Sequence, residues 1–254
     1  VTAPASRLVL LGASNLRFAL PLVVDLARRR LGGPLEVLAA PGEGRSYGGW
    51  SRFLWRELPG IVDCGLWDRL PPDGPRTYAI LADIGNDVPF GAPPARIAGW
   101  VESCLERLLA AGARSALVLF PAASVRRLGP LRFHVLRRLL FPGRRVSRAY
   151  VNAAALELNR RLRDLTGGPE VAAIEPPADW YGLDAIHIRR GRRAAAWSAI
   201  FDALGTDLRP PAANGRAPRS LRFARHAHCR VLGRDRRCPQ PVARLEDGTT
   251  VAVF

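Results

Sequence analysis

Leu8-Val9-Leu10-Leu11-Gly12-Ala13-Ser14-Asn15 is the stretch that decides how this chain folds. Four apolar residues in a row read as a strand buried on both faces. A glycine, a small residue and a hydroxyl follow at once. Residues 15–31 then place Leu20, Val23, Val24, Ala27 and Leu31 on one side of a helical period. A buried strand that feeds an amphipathic helix is the opening unit of a parallel sheet. Pro21 interrupts the helical segment. Its missing N–H is harmless only in a first turn, so the main helix is expected to begin near Leu20, with Ser14 on a short turn before it.

The same rhythm repeats downstream. Leu35–Ala39, Tyr78–Ile84, Ser115–Phe120 and Val171–Ile174 read as strands two to five. Between them, Ile97, Trp100, Val101, Cys104, Leu105, Leu108 and Leu109 fall at helical spacing. Ser147 can cap a helix that Gly167-Gly168 ends, and a last helix covers about Arg190–Leu204. Strands alternating with helices predict an α/β fold: a three-layer α/β/α sandwich around a five-stranded parallel sheet, over residues 1–206.

Two stretches break the rhythm. Residues 121–146 mix seven Arg with Leu131, Phe133, Val135, Leu136, Leu139, Leu140 and Phe141, and there is no Asp or Glu from Arg107 to Leu156. This insert reads as an amphipathic helix on the sheet edge, as a lid drawing in anionic or acyl-chain substrates, or as a helix in contact with a membrane surface. Residues 207–254 begin as a Pro- and Arg-rich linker. They end in short strand-like runs, Cys229–Leu232, Val242–Leu245 and Thr250–Phe254, with Asp247-Gly248 as a hairpin turn. A small C-terminal β appendage is expected there.

Composition narrows the function. At 254 residues and 48% hydrophobic, the chain can bury a full core. All 38 basic residues are Arg, against 22 acidic residues, for a net charge of +16. That charge favours anionic partners. Aromatic residues make up only 7%, and no nucleic-acid module is visible, so specific nucleic-acid recognition lacks its usual parts. Four cysteines in a chain this long do not suggest a disulfide scaffold. His226, His228, Cys229 and Cys238 are metal-ligand types, but their spacing matches no common zinc pattern, so no metal is expected. The glycines of Pro41-Gly42-Glu43-Gly44-Arg45-Ser46-Tyr47-Gly48 lack the Lys of a phosphate loop and the spacing of a dinucleotide fold, so no cofactor is expected. No apolar run reaches the roughly 18 residues of a membrane span, and no secretory signal is visible at Val1-Thr2-Ala3-Pro4. A cytoplasmic protein is the expectation.

The chemistry lies where strands end. A Ser hydroxyl becomes a nucleophile only when a neighbouring base takes its proton, and His suits that task near neutral pH. In Asp184-Ala185-Ile186-His187 the carboxylate lies three residues before the imidazole. One turn brings both to the same side, leaving the other ring nitrogen free to face Ser14. Asp179 is a rival acid, but its eight-residue separation from His187 fits no local geometry. His134, a rival base, lies in the Arg-rich insert. Three donors could serve a tetrahedral oxyanion: the N–H of Ser14, the backbone of Gly44 and the side-chain amide of Asn86 in Gly85-Asn86-Asp87. Trp50, Trp55, Phe90, Trp180 and Tyr181 are candidate pocket aromatics.

These four blocks, in this order over roughly residues 7–205, resemble the SGNH (GDSL-type) hydrolases. The resemblance implies a flavodoxin-like sheet and a metal-independent hydrolase of small-molecule esters, thioesters or acetyl groups. It implies Ser14 as nucleophile, His187 as base and Asp184 as orienting acid, with Ser14, Gly44 and Asn86 as the oxyanion hole. Two departures stand out. Ala13 occupies the place of the family's usual Asp, which would loosen the Ser turn, and Ile188 replaces the Pro that often follows the His. The rival readings are a catalytically silent basic protein that binds a polyanion or an anionic membrane, and an acyltransferase on the same scaffold.

Overall fold

The computed structural model describes residues 4–140, 143, 145–206 and 216–254. β1 (Ser6–Leu11) runs straight into α1 (Ser14–Leu31), and β2 (Leu35–Ala40) follows. A hairpin of β3 (Ser51–Phe53) and β4 (Arg56–Leu58) precedes β5 (Arg76–Leu81) and α2 (Pro94–Ala110). β6 (Arg114–Val118), α3 (Ala122–Arg126), α4 (Pro130–Leu140), α5 (Arg148–Asp164), β7 (Val171–Ile174) and α6 (Arg193–Ala203) complete the alternation. Four short strands come last: β8 (His228–Val231), β9 (Arg234–Arg237), β10 (Ala243–Arg244) and β11 (Thr250–Val253).

The five expected strands form the parallel centre of the main sheet, in the order β2-β1-β5-β6-β7. Alternate residues along each strand face opposite layers. Val9, Leu11, Ala79, Leu81 and Leu117 join the core that contains Val101 and Leu105 of α2 and Leu158 of α5. Leu8, Leu10, Val37 and Ile80 join the core that contains Leu20 and Val24 of α1 and Trp197 of α6.

The tail strands carry the sheet further than the sequence suggests. β11 pairs in parallel with the outer edge of β2, and β10 pairs antiparallel with β11, giving seven strands. β8 pairs with β4 and β9 with β8, giving a separate four-stranded antiparallel sheet in the order β3-β4-β8-β9. β2 is apolar and buried, and such a strand left at an edge would present unpaired backbone groups to water. β11 covers that edge. Among the described residues, no helix is long and apolar enough to cross a membrane.

Two sequence expectations are corrected. α1 does not begin near Leu20; it starts at Ser14 and passes through Pro21 unbroken. Pro21 removes one internal hydrogen bond, whereas Leu16, Ala19, Leu20 and Val23 are all buried, and that packing outweighs the loss. Strand three stops at Leu81 rather than Ile84. Asp83 turns the chain with a φ of +59°, and residues Ile84–Asp87 form a short 3-10 turn at the carboxyl end of β5.

Candidate active site

Ser14 is the first residue of α1, at the carboxyl end of β1. Its Oγ lies 2.9 Å from Nε2 of His187. Nδ1 of His187 lies 2.6 Å from Oδ2 of Asp184. The other carboxylate oxygen, Oδ1, accepts the backbone N–H groups of His187 at 2.9 Å and Ile186 at 3.2 Å. Asp184 therefore folds its own loop as well as orienting the ring. A bridge between Tyr181 and Ile188 closes that loop, and Gly182 N donates to His187 O at 2.9 Å.

The electrostatics of the pair follow from these contacts. Burial by itself raises the Asp184 pKa, but the bonds from the His187 ring and backbone, its charge and the Ile186 N–H bring it below the ordinary value. Burial likewise works against protonation of His187. The hydrogen bond and charge of Asp184, helped by Asp83, outweigh it and raise the His187 pKa, while Arg193 acts the other way.

Asn15 and Asp83, which sequence reasoning passed over, tie the site together. Asp83 Oδ2 accepts the N–H of Ala13 at 2.7 Å and of Leu16 at 3.3 Å. Its Oδ1 accepts Nδ2 of Asn15 at 2.7 Å. Asn15 Nδ2 also donates to Ile186 O at 2.9 Å, and its Oδ1 accepts the Ile188 N–H at 2.8 Å. The Ser turn thus holds together without an acid at position 13, because a carboxylate from the end of β5 reaches across to it. The signal available was an Asp two residues before Gly85-Asn86-Asp87 and an Asn beside the Ser.

The glycine loop is anchored from below. Arg45 is completely buried and donates to the carbonyls of Pro59 (3.1 Å), Pro41 (3.2 Å) and Phe254. Tyr47 donates its hydroxyl to Ala82 O at 2.9 Å, and its N–H reaches Asp87 at 3.0 Å. Gly42 N lies 3.4 Å from Ala13 O, so the loop passes directly beside the Ser turn. Gly44, two residues on, has a φ of +64° and open space around its Cα. Asn86 Nδ2 is buried without a hydrogen-bond partner among the described residues. Gly85, before it, packs so closely on Phe120 that a Cβ would overlap the ring.

An apolar cavity of about 990 Å³, mouth included, opens beside Asn86 and Asp184. Phe120, Val125, Leu128, Phe133, Leu136 and Val146 supply much of its wall. The insert builds this wall through α3 and α4. Arg132 of α4 also donates to Leu183 O, next to Asp184, while Leu131 and Leu139 face outward. Of the candidate pocket aromatics, Trp180 and Tyr181 line the cavity. Trp50 instead packs edge-on against His228 with Arg230 over its ring, and Trp55 is exposed.

The rival residues take other roles. Asp179 pairs with Arg192 at 3.4 Å, and His134 sits exposed on α4. His226 is buried against Pro41 O at 2.9 Å, and His228 bonds Asp235 at 2.8 Å. Among the described residues no three His, Cys, Asp or Glu side chains cluster as metal ligands. The four cysteines are free thiols.

Comparison with solved structures matches this architecture. The chain aligns with Est24, a carbohydrate acetylesterase from Sinorhizobium meliloti, at a TM-score of 0.53 and 18% identity, over 78% of this chain and 98% of that one. It aligns with the M. smegmatis aryl esterase at 0.52 and 16%, over 79% and 99%. A second S. meliloti carbohydrate acetylesterase family member gives 0.51 and 14%, over 79% and 99%. The chain shares the three-layer α/β/α fold of these esterases. No family model matches the sequence, and no curated protein matches it significantly. The likeness is therefore one of fold, covering about four-fifths of the chain.

Proposed function

We propose that the protein is a serine hydrolase of small acyl esters, with Ser14 as nucleophile, His187 as general base and Asp184 as orienting acid. The observation that carries this reading is the continuous hydrogen-bonded line from Ser14 Oγ through His187 to Asp184. His187 Nε2 takes the Ser14 proton as Oγ attacks the ester carbonyl, and Asp184 stabilises the imidazolium that forms. The oxyanion is met by the N–H of Ser14, which as the first helical residue has no partner inside α1, together with Gly44 N–H and Asn86 Nδ2. The unpartnered, buried Asn86 amide supports that role, since a donor left unpaired costs stability unless it serves something. His187 then gives its proton to the leaving oxygen, and water releases the acyl group by the same route in reverse. The apolar cavity beside Asn86 suits the acyl group, and the esterase names of proteins sharing the fold support an ester as substrate.

Hydrolysis of a chain-length series of p-nitrophenyl esters, by wild type and Ser14→Ala, tests the reading. Turnover and covalent labelling by a serine-directed phosphonate are expected in the wild type and absent from the variant. Labelling that persists in Ser14→Ala overturns the assignment. The charge of +16 favours a second reading, a non-catalytic polyanion-binding protein. It predicts steeply salt-dependent binding with no turnover of any ester.

A further inference from the structure

A second cavity is bordered by Phe18, whose ring neighbours that of the catalytic histidine. It is an open groove of about 2130 Å³, mouth included, between α1, the start of α6 and the segment Arg219–Phe223. Arg29, Arg190, Arg193, Arg216, Arg219 and Arg222 line it. The single carboxylate in the lining is Asp25, and it is already engaged, accepting the Ala217 N–H at 2.7 Å with Arg28 at 3.8 Å. Among the described residues none of the six arginines has a carboxylate partner.

The groove begins at the catalytic line. Phe18 lies one helical turn after Ser14 and is 39% exposed; its ring centroid is 6.0 Å from that of His187. The Arg193 guanidinium stacks over the same ring at 5.4 Å. Beyond it, Arg222 covers Phe223 at 4.4 Å. Burial, with Arg190 and Arg222 nearby, holds the Arg193 pKa below its ordinary value. Six cations around one opening repel each other, and an anion seated among them would relieve that repulsion. Guanidinium forks suit phosphoryl oxygens, which accept bidentate hydrogen bonds.

The chemistry says which half of an ester belongs there. His187 protonates the leaving oxygen, so the leaving group must lie on the His187 side. The apolar cavity, beside Asn86 and Asp184, holds a single arginine, Arg137, together with the carboxylates of Asp83 and Asp184 in an otherwise largely apolar wall, and it suits the acyl half. We propose that the arginine groove is a leaving-group subsite, and that the substrate is an acyl ester or thioester of a phosphate-bearing alcohol or thiol. In the reaction the acyl C–O or C–S bond breaks, the phosphorylated alcohol or thiol departs with the His187 proton, and water supplies the OH of the acid product. This rests on the hydrolase reading above.

Two esters with the same hexanoyl group test it, one of hydroquinone and one of 4-hydroxyphenyl phosphate. At low salt the wild type is expected to favour the phosphorylated ester in kcat/KM by about tenfold or more, with the advantage shrinking as salt rises. Replacing Arg219 and Arg222 together by Gln should cut that ratio about tenfold. Removing the same charge from β9, with Arg234→Gln and Arg236→Gln, should leave the ratio where it was. A wild-type ratio near one, or equal falls in both double variants, overturns the proposal. If neither ester turns over, it is the hydrolase reading that has failed. The groove is then judged by calorimetric titration with 4-hydroxyphenyl phosphate, where binding that weakens about tenfold in the Arg219/Arg222 variant supports it and no binding overturns it. Co-sedimentation with phosphatidylglycerol vesicles, set against phosphatidylcholine vesicles, separates the sources. Binding that depends on Arg219 and Arg222 assigns the phosphate to a lipid headgroup, and ester preference without vesicle binding assigns it to a soluble molecule.

Discussion

Asn15→Ala is the sharpest test of how this site is held. The Asn15 side chain is 8% exposed and makes three hydrogen bonds, to Asp83 at 2.7 Å, to Ile186 O at 2.9 Å and from Ile188 N at 2.8 Å. Alanine deletes all three and leaves their partners unpaired inside the protein. At about 1 kcal/mol for each neutral bond and about 2 for the one to the carboxylate, the loss is about 4 kcal/mol. That is a large share of the stability of a typical domain, about 5–15 kcal/mol. The same bonds fix the Ser turn against the Asp184–His187 loop, so the distance from Ser14 Oγ to His187 Nε2 loosens. A misplacement of about 1 Å costs on the order of a hundredfold in rate. Urea unfolding should show a lower midpoint with an unchanged slope, and ester kinetics well below the unfolding temperature should show a fall in kcat with KM little changed. Asn15→Asp adds a reading that a purely structural role would not move. It keeps an acceptor for Ile188 N but sets a carboxyl against Asp83 in place of the amide donor, so the two carboxyls share a proton and the pH profile gains a limb that the wild type lacks. A fully folded Asn15→Ala protein with kcat within about twofold of wild type would refute the coupling.

The remaining predictions concern single groups. The raised His187 pKa means that the rate climbs as pH rises through a value above the ordinary 6.5, because imidazolium below it cannot take the Ser14 proton. Asp184→Asn removes the contact that raises it, so pH–rate profiles should show the acid limb moving to lower pH while kcat falls about 10⁴-fold. Gly85→Ala pushes a methyl into Phe120; denaturant unfolding should record about 1–3 kcal/mol of destabilisation, and kcat should fall because Asn86 moves with the strained turn. The pKa of His226, buried beside Arg45 and Arg17, lies well below 6.5. The unfolded chain therefore takes up that proton first, so stability is intact above pH 6.5 and is lost as pH falls below it. The loss is up to about 1.4 kcal/mol per pH unit, and His226→Gln should remove that part of the slope in pH-dependent unfolding.

Much of this architecture is legible in local pattern, because a strand buried on both faces leaves a continuous apolar run and a packed helix leaves a period. Leu8–Leu11 and the α2 stripe through Cys104 are such cases. The spacing of Asp184 and His187 is legible for the same reason, since three residues fix a local geometry. What stays hidden is set by long-range partners. Nothing in Thr250–Val253 says that it pairs with β2, more than two hundred residues earlier in the chain. Pro21 reads as a helix start because its local cost is plain, whereas the burial of Leu16 and Leu20 that offsets it depends on the sheet beneath. Ser51–Phe53 and Arg56–Leu58 carry no strand signature, being short and charged; they pair with each other, and β8, from the far end of the chain, extends their sheet along β4. Asn15 and Asp83 escape notice because their meaning is relational: each is an ordinary polar residue until the ends of β1 and β5 are brought side by side.

That relation explains how the Ser turn holds with Ala13 before Ser14. Oδ2 of Asp83 accepts the N–H groups on both sides of Ser14, from Ala13 and Leu16. Asp83 is also the left-handed residue that starts the 3-10 turn carrying Asn86. One carboxylate therefore sets both the hydroxyl and the amide donor, and through Asn15 it reaches the loop that carries Asp184 and His187. Three segments distant in sequence become one hydrogen-bonded body at the carboxyl ends of β1 and β5, where open α/β sheets place their ligand sites. A rigid body of this kind holds the Ser14 hydroxyl and the His187 ring in place without any one loop being stiff on its own, since Asp83, at the end of β5, ties the Ser turn directly and the Asp184–His187 loop through Asn15.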